Sequence, residues 1–333
     1  MRGFLPDQTR ISQVHLRTDR LERALEFYSG VLGLKASTGP DAQAIFSAMP
    51  DEPGLLVVSE DRSCSPRLPS SVGLYHFALR YPTRNDLAQA YRRIVQAGYP
   101  VAGASDHGVS EAIYLSDPDG NGVEMYADRP RSHWRWQNGQ IAMMTTPLDL
   151  DNFLATIPAK TARTDSPPQI DLGHIHLHVA DLTAAERFYS EFLGLGVTQR
   201  SYSYAGALFF AAGGYHHHIG VNVWAGQGVP QVNSVGLVSY RLEVPVAEIL
   251  YCLSHRAPLL GYETQMELQE RGNRIFQVRD PNGNWLEVQA SENAAIAGPG
   301  SLWAGCPKEG KHLTHLQRKR SNNRLGIELR AKL

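Results

Sequence analysis

The stretch IYLSDPDGNGVEMYADRP, Ile113 to Pro130, decides the fold. It reads as two strands pinched around Asp-Pro-Asp-Gly-Asn-Gly, with Asp117, Gly120 and Asn121 serving as turn chemistry. Its second strand carries a carboxylate, Glu124, among residues suited to a buried sheet. VRDPNGNWLEVQAS, Val278 to Ser291, repeats the arrangement, and the two Asp-Pro-x-Gly-Asn-x-x-Glu runs begin at Asp117 and Asp280, 163 residues apart.

Working outward, Ser71-Val-Gly-Leu recurs at Ser234 with the same offset, and FYSGVLGL (Phe27 to Leu34) recurs as FYSEFLGL (Phe188 to Leu195), offset by 161. A fixed self-similarity of this kind marks a duplicated domain. Each half divides again. QVHLRT (Gln13 to Thr18) alternates as a strand does, Asp19-x-x-Glu22 resembles a capping box, and Leu21, Leu25, Tyr28 and Leu32 form an apolar helical stripe closed by Gly33. Short β-like segments follow near 35–37, 42–48 and 55–60. The order repeats from GLYHFAL, with a helix near 85–97 and strands near Val101, 111–115 and 122–127. Strand, helix, then three strands is the unit, and it occurs four times.

The length of 333 residues suits two domains, each with its own core. With 42% hydrophobic and 20% charged residues the composition is that of a globular protein, without an apolar run of membrane-spanning length or a secretion signal, so a cytoplasmic location is expected. Three cysteines, Cys64, Cys252 and Cys306, predict neither a disulfide framework nor a cysteine zinc site. The net charge of −1 conceals a basic end: from Ser301 onward eight Lys or Arg face two Glu, which leaves the body mildly acidic and argues against nucleic acid as a partner. The expected domains are 8–130 and 171–291, joined by a linker over 131–170 containing one short helix in LDNFLATI, with 292–333 a basic tail, disordered or artefactual. Trp134 and Trp136 share a face of any extended linker segment and read as packing residues.

Alternation along strands singles out the chemistry. Val14 and Leu16 point to one side of the first strand, with Gln13, His15 and Arg17 opposite. Tyr75, Phe77 and Leu79 are expected on the apolar face, leaving His76 opposite; Val123 and Met125 likewise leave Glu124. His15, His76 and Glu124 are therefore three potential ligands on non-helical faces. Two imidazoles and a carboxylate suit non-haem Fe(II), because positions of the metal stay open for substrate and O₂. Taken singly, His15 and His76 read equally as hydrogen-bonded core histidines and Glu124 as a solvent-facing residue.

The four units, the FYxxxLG helix ends and the DPDGNGVE hairpin resemble the vicinal oxygen chelate superfamily, which includes glyoxalase I, bleomycin-resistance proteins and type I extradiol dioxygenases. The similarity covers about residues 10 to 290. It implies an α+β fold in which four βαβββ units pair into two cup-shaped domains. HGVSEAIYLSDPDGNGVE (His107 to Glu124), GLYHFAL and GGYHHHIGVNVWAG are similar to bacterial two-domain proteins of the catechol 2,3-dioxygenase class. That resemblance implies His15, His76 and Glu124 as iron ligands, His107 as acid/base and Tyr114 as hydrogen-bond donor to the bound substrate or oxygen intermediate. It also implies an Fe(II)-dependent enzyme, with Mn, Zn or Ni as alternatives, acting on a small aromatic diol and O₂ as a homo-oligomer. Competing readings are a glyoxalase-like isomerase or lyase and a metal-free protein that sequesters an aromatic compound.

One departure matters. In well-known two-domain extradiol enzymes the C-terminal half holds the iron, yet here Ser239 stands where His76 does and Gln277 where Tyr114 does. The active iron is therefore expected in the N-terminal half. His174, His176 and His178 share one strand face, and His176, His218 and Glu287 form a candidate second site, weighed against a polar-lined vestigial cup.

Overall fold

The computed structural model describes residues 3–68, 70–157, 169–201, 206–226, 228, 233–268 and 274–295. Of the expected tail over 292–333, residues 292–295 continue the last strand and 296–333 lie outside the described residues. The first unit comprises β1 (Arg10–Thr18), α1 (Leu21–Leu25), β2 (Lys35–Thr38), β3 (Gln43–Ser47) and β4 (Leu56–Glu60); the second comprises β5 (Gly73–Arg80), α2 (Arg84–Gln96), β6 (Gly103–Asp106), β7 (Ser110–Ser116) and β8 (Gly122–Asp128). Three two-residue strands follow, β9 (Trp136–Gln137), β10 (Gln140–Ile141) and β11 (Thr146–Pro147), and then the expected short helix α3 (Leu150–Ala155). The third unit is β12 (Asp171–His178), α4 (Leu182–Glu186), β13 (Gly196–Ser201), β14 (Ala207–Ala211) and β15 (Ile219–Asn222); the fourth is β16 (Gly236–Val246), α5 (Glu248–Leu260), β17 (Thr264–Leu268), β18 (Arg274–Arg279) and β19 (Trp285–Ala295).

The units do not pair as neighbours in sequence. One sheet of eight strands runs β17-β18-β19-β16-β1-β4-β3-β2, joining the fourth unit to the first. The other, of nine, runs β11-β6-β7-β8-β5-β12-β15-β14-β13, joining the second to the third. Each seam is an antiparallel pair of first strands, β1 with β16 and β5 with β12. Val14 and Leu16, Phe77 and Leu79, Ile175 and Leu177, and Tyr240 and Leu242 turn into one apolar core. Burying each such side chain contributes about 1.5–3 kcal/mol, so the pattern strongly specifies which strand faces point outward.

Bulges correct the alternation at the seams. On the β5–β12 pair Gly173 and Tyr75 are the extra residues of two register shifts. Tyr75 therefore leaves the apolar face expected for it and meets the rings of His76, His176, His178 and Trp224. A bulge turns two successive side chains to one side, which strict alternation does not anticipate.

The repeated FYS and DP motifs have a shared physical purpose. After α1 and after α4 the helix widens into a π turn, over Glu26–Val31 and Arg187–Phe192. The backbone amide of Leu32 reaches the Phe27 carbonyl and that of Leu193 the Phe188 carbonyl. This presents Tyr28 and Tyr189 to the hairpins of the next unit, where their hydroxyls donate to Asp117 and Asp280, each at 2.7 Å. Asp117 also accepts from the backbone amides of Asp119 and Asn121 and the Asn121 side chain. The hairpin aspartate is thus more than turn chemistry: it staples a helix to a hairpin. Tyr28→Phe should cost about 1–3 kcal/mol in urea denaturation because one buried acceptor loses its donor.

The capping box expected at Asp19 does not form. Asp19 pairs with Arg23, and Glu60 accepts the Leu21 amide instead. Asp181 does cap its helix, accepting from Thr183 and Ala184. Cys64 is free, whereas Cys252 is disulfide-bonded, contrary to the sequence expectation. Trp134 is buried against Tyr215 and His216, while Trp136 is exposed, so the two do not act together. No helix among the described residues is long and apolar enough to cross a membrane.

Candidate metal centre

Ala78, near the middle of β5, has His174 of β12 as its neighbour on one side and Glu124 of β8 on the other. Strands two apart lie roughly 10 Å from each other, so these side chains meet only by leaning over the strand between them. A methyl group at position 78 leaves that path open. His174 Nε2 lies 3.0 Å from Glu124 Oε2, and His76 Nε2, two residues before Ala78 on the same face, lies 3.0 Å from the same oxygen. All three side chains are buried.

The cluster fits a cation. Ligand atoms of His76, Glu124 and His174 all lie within 4.8 Å of one another. Ligands at adjacent positions about 2.1 Å from a metal stand about 3 Å apart, which the two contacts to Glu124 match. His76 Nε2 is buried without a hydrogen bond despite its proximity to the carboxylate, because its ring is not aimed along an N–H···O line. Burial pushes the His174 imidazole down to about 4, so it is neutral and offers a lone pair at neutral pH. Burial alone would raise the Glu124 carboxyl, but the adjacent His174 and His76 outweigh it and hold the group well below the usual carboxylate range. Neutral nitrogens and one ionised oxygen are a donor set for a divalent transition metal.

His76 and Glu124 stand where the sequence places them, on one face of one sheet. His15 does not join them. It lies on β1 in the other sheet, where its Nε2 is 3.0 Å from the Ser59 hydroxyl. The reason is the pairing of units: β1 borders β16, so the first unit has no strand beside β5. His174 takes the remaining place, and its signal is the alternation of His174, His176 and His178 on β12.

Tyr114 is the β7 neighbour of Glu124, and its hydroxyl lies 2.6 Å from His107 Nε2. His107 Nδ1 donates to the Met144 carbonyl at 2.8 Å. That carbonyl can only accept, so in the neutral ring Nε2 is left to accept from Tyr114. Burial, and then the Glu124 charge, hold the Tyr114 hydroxyl well above the ordinary phenol range. Tyr114 thus lies beside the cluster, its ring centroid 5.8 Å from that of His76, with His107 behind it.

A histidine missed in the sequence completes the other wall. His217 has its ring centroid 4.1 Å from that of His174, and its Nδ1 is 2.7 Å from His216 Nδ1. His216 Nε2 lies 2.9 Å from Asp128, whose other oxygen accepts from Tyr215 at 2.9 Å. If His216 donates to Asp128, its Nδ1 accepts from His217, whose Nε2 then carries a lone pair. Tyr75, Phe209 and Trp224 line the remaining wall beside His176.

The proposed second set, His176, His218 and Glu287, is not assembled. His176 is in the same cup as His76, with ring centroids 5.1 Å apart; His218 accepts from the Ala212 amide through Nδ1; Glu287 is in the other sheet. In that sheet the equivalent positions are recognisable: His15 faces Ser239 as His176 faces His76, and Gln13 faces Arg241 as His174 faces Ala78. Arg241 binds Glu287 through Nε at 2.9 Å and Nη2 at 2.8 Å, and Ser239 donates to the same carboxylate at 2.8 Å. An internal guanidinium neutralises Glu287. Arg241→Leu should destabilise the fold by about 3 kcal/mol in urea denaturation, since it strands a largely buried charge, while leaving bound metal unchanged. A loss below about 1 kcal/mol would mean that water already solvates Glu287.

Two curled sheets built from four βαβββ units give the protein the vicinal oxygen chelate fold. The sequence matches the Glyoxalase/Bleomycin resistance protein/Dioxygenase superfamily over residues 10–125 and 171–288, and the chain belongs to that family. It is 41% identical over 280 residues to a catechol-2,3-dioxygenase of Bacillus subtilis (strain 168), covering 83% of this chain and 95% of that one. It is 29% identical over 120 residues to a biphenyl-2,3-diol 1,2-dioxygenase of Rhodococcus globerulus, covering 36% and 63%. Among solved structures, glyoxalase I from Zea mays shares the fold at 14% identity with a TM-score of 0.52, over 85% of this chain and 92% of that one.

Proposed function

We propose that the protein is an Fe(II)-dependent extradiol dioxygenase that opens the ring of a catechol-like aromatic diol. The cluster of His76, Glu124 and His174, with the Tyr114–His107 pair at its edge, carries this reading. The identity to a catechol-2,3-dioxygenase over most of both chains supports it. Bound Fe(II) would supply open positions for both diol oxygens and O₂ and the one-electron chemistry that lets them react.

The chain's own residues do the rest. His76, Glu124 and His174 would hold a divalent ion with a net charge of +1, which would let a singly ionised diol be buried without uncompensated charge. Tyr114 has one O–H, which His107 Nε2 accepts while that ring is neutral; once Nε2 carries a proton and donates to the Tyr114 oxygen, the phenol proton is free to turn toward the ligand oxygens. His107 Nε2 exchanges a proton with Tyr114, and His217, held through His216 and Asp128, offers a second base from the opposite wall. Tyr75, Phe209 and Trp224 give the diol's ring an aromatic surface and exclude water.

The test is reconstitution with Fe(II) without oxygen, followed by catechol and air. O₂ uptake stoichiometric with the yellow ring-opened product is expected, and His76→Ala should lose metal and turnover together. Tyr114→Phe should retain metal and slow turnover by roughly 10²–10⁴, the range of a lost proton-transfer partner. Metal-loaded protein that consumes no O₂ with any catechol would instead support a glyoxalase-like isomerase using Mn, Zn or Ni. Failure to hold stoichiometric metal would support a binding protein.

A further inference from the structure

The two Ser-Val-Gly-Leu repeats open β5 and β16, and between them lies a cavity of about 80 Å³. Its wall includes Arg17, Arg67, Ser71, Ser234, Asn282 and Asn284, and among the described residues no carboxylate. It belongs to neither cup. It sits where the end of β1, the starts of β5 and β16 and the hairpin of the fourth unit converge, so its walls come from both sheets.

Elsewhere five partly buried arginines are matched with acids, while Arg256 is held by the Phe192 and Glu191 carbonyls. Arg23 has Asp119, Arg80 has Asp171, Arg84 has Glu111, Arg129 has Asp106, and Arg241 has Glu287. The two arginines of this cavity differ. Arg17 donates at 3.4 Å to Asn233, a neutral amide, and among the described residues neither Arg17 nor Arg67 has a carboxylate within ion-pair distance. The acid that acts on Arg67 most, Asp117, is already held by Tyr28 and Asn121. Burial strips solvent from the Arg67 guanidinium without giving it an ion-pair partner, and an anion held between it and Arg17 would offset that loss.

The rest of the wall is suited to the same guest. Asn282 Oδ1 accepts from the Ala180 amide at 2.9 Å, which fixes that side chain in the wall. Gly73 and Gly236, at φ values of 130° and 120°, contribute backbone and no side chain. The volume admits a phosphate-sized ion.

We propose that this cavity binds a small oxyanion, of the class of inorganic phosphate or a short dicarboxylate, between Arg17 and Arg67 at the junction of the two sheets. The site stands apart from the metal cup and from the reaction assigned to it. Because the walls come from both sheets, the bound anion braces one against the other, and binding stabilises the folded chain.

The full-length protein would be titrated with sodium phosphate, and separately with sodium succinate, against sodium chloride at matched ionic strength, following Tm and the heat of binding. A saturable Tm rise beyond that in chloride is expected with at least one of them; which one responds distinguishes a tetrahedral oxyanion from a carboxylate. Arg17→Gln and Arg67→Gln should each weaken binding at least tenfold. Ser234→Asp, at a partly exposed position, places a carboxylate in the cavity and should abolish the response in a folded protein even if an arginine variant does not fold. His174→Ala should leave the response intact, separating it from phosphate held at the metal cup. A Tm change no greater than that in chloride, or one that survives Ser234→Asp, would overturn the proposal.

Discussion

His174→Ala is expected to reduce metal affinity and diol turnover by a hundredfold or more, while His15→Ala leaves both within about twofold. Removing a side chain that binds the metal directly should cost at least the 10–100-fold typical of its supporting hydrogen-bond partners. The prediction separates two readings that are equally good along the chain, because each histidine alternates correctly on a first strand. His174 Nε2 is 3.0 Å from Glu124, whereas His15 is hydrogen-bonded to Ser59 on the other sheet. Metal content after dialysis, measured beside O₂ uptake, decides it. Full metal content in His174→Ala would remove that residue from the site, and metal loss in His15→Ala would place the ion in the other cup.

Gly173→Ala should produce the largest loss of stability of any single methyl group added to the cup, about 3 kcal/mol or more. A Cβ at Gly173 would stand 1.5 Å from the Tyr126 hydroxyl oxygen and 2.5 Å from the ring carbon that bears it. Tyr126 cannot retreat easily, since it is fully buried and its hydroxyl is 2.6 Å from that of Tyr215. Gly173 is also the bulge residue immediately before His174. Urea denaturation should therefore shift strongly, and metal affinity should fall with it. A variant of unchanged midpoint would show that β12 can slide without cost and that the bulge does not set the position of His174.

Much of this was legible in residue order because it rests on local physics. Period-two alternation places Phe77 and Leu79 inward and His76 outward whatever strand lies beside β5, and the Asp-Pro-x-Gly-Asn turns form from their own backbone and side-chain bonds. Repetition of the motifs reveals four copies of one unit. Tyr75 escaped the alternation because a bulge depends on the partner strand. His217 is visible in the chain only as one of three successive histidines, and its position beside His174 depends on how β15 meets β12.

The sequence alone therefore determined the units, their strand faces and the supply of possible ligands, including Glu124 and the His107–Tyr114 spacing. Only the tertiary structure decided which first strands adjoin. That choice joins β5 to β12 and β1 to β16, making His174 the companion of His76 and Glu124 and leaving His15 beside Ser239 and Arg241. The physical reason is that a strand's hydrogen-bonding edge is generic: its N–H and C=O groups accept any partner of suitable register. The partner is selected by the burial of both apolar faces in one common core, a condition on the whole chain that no short stretch expresses.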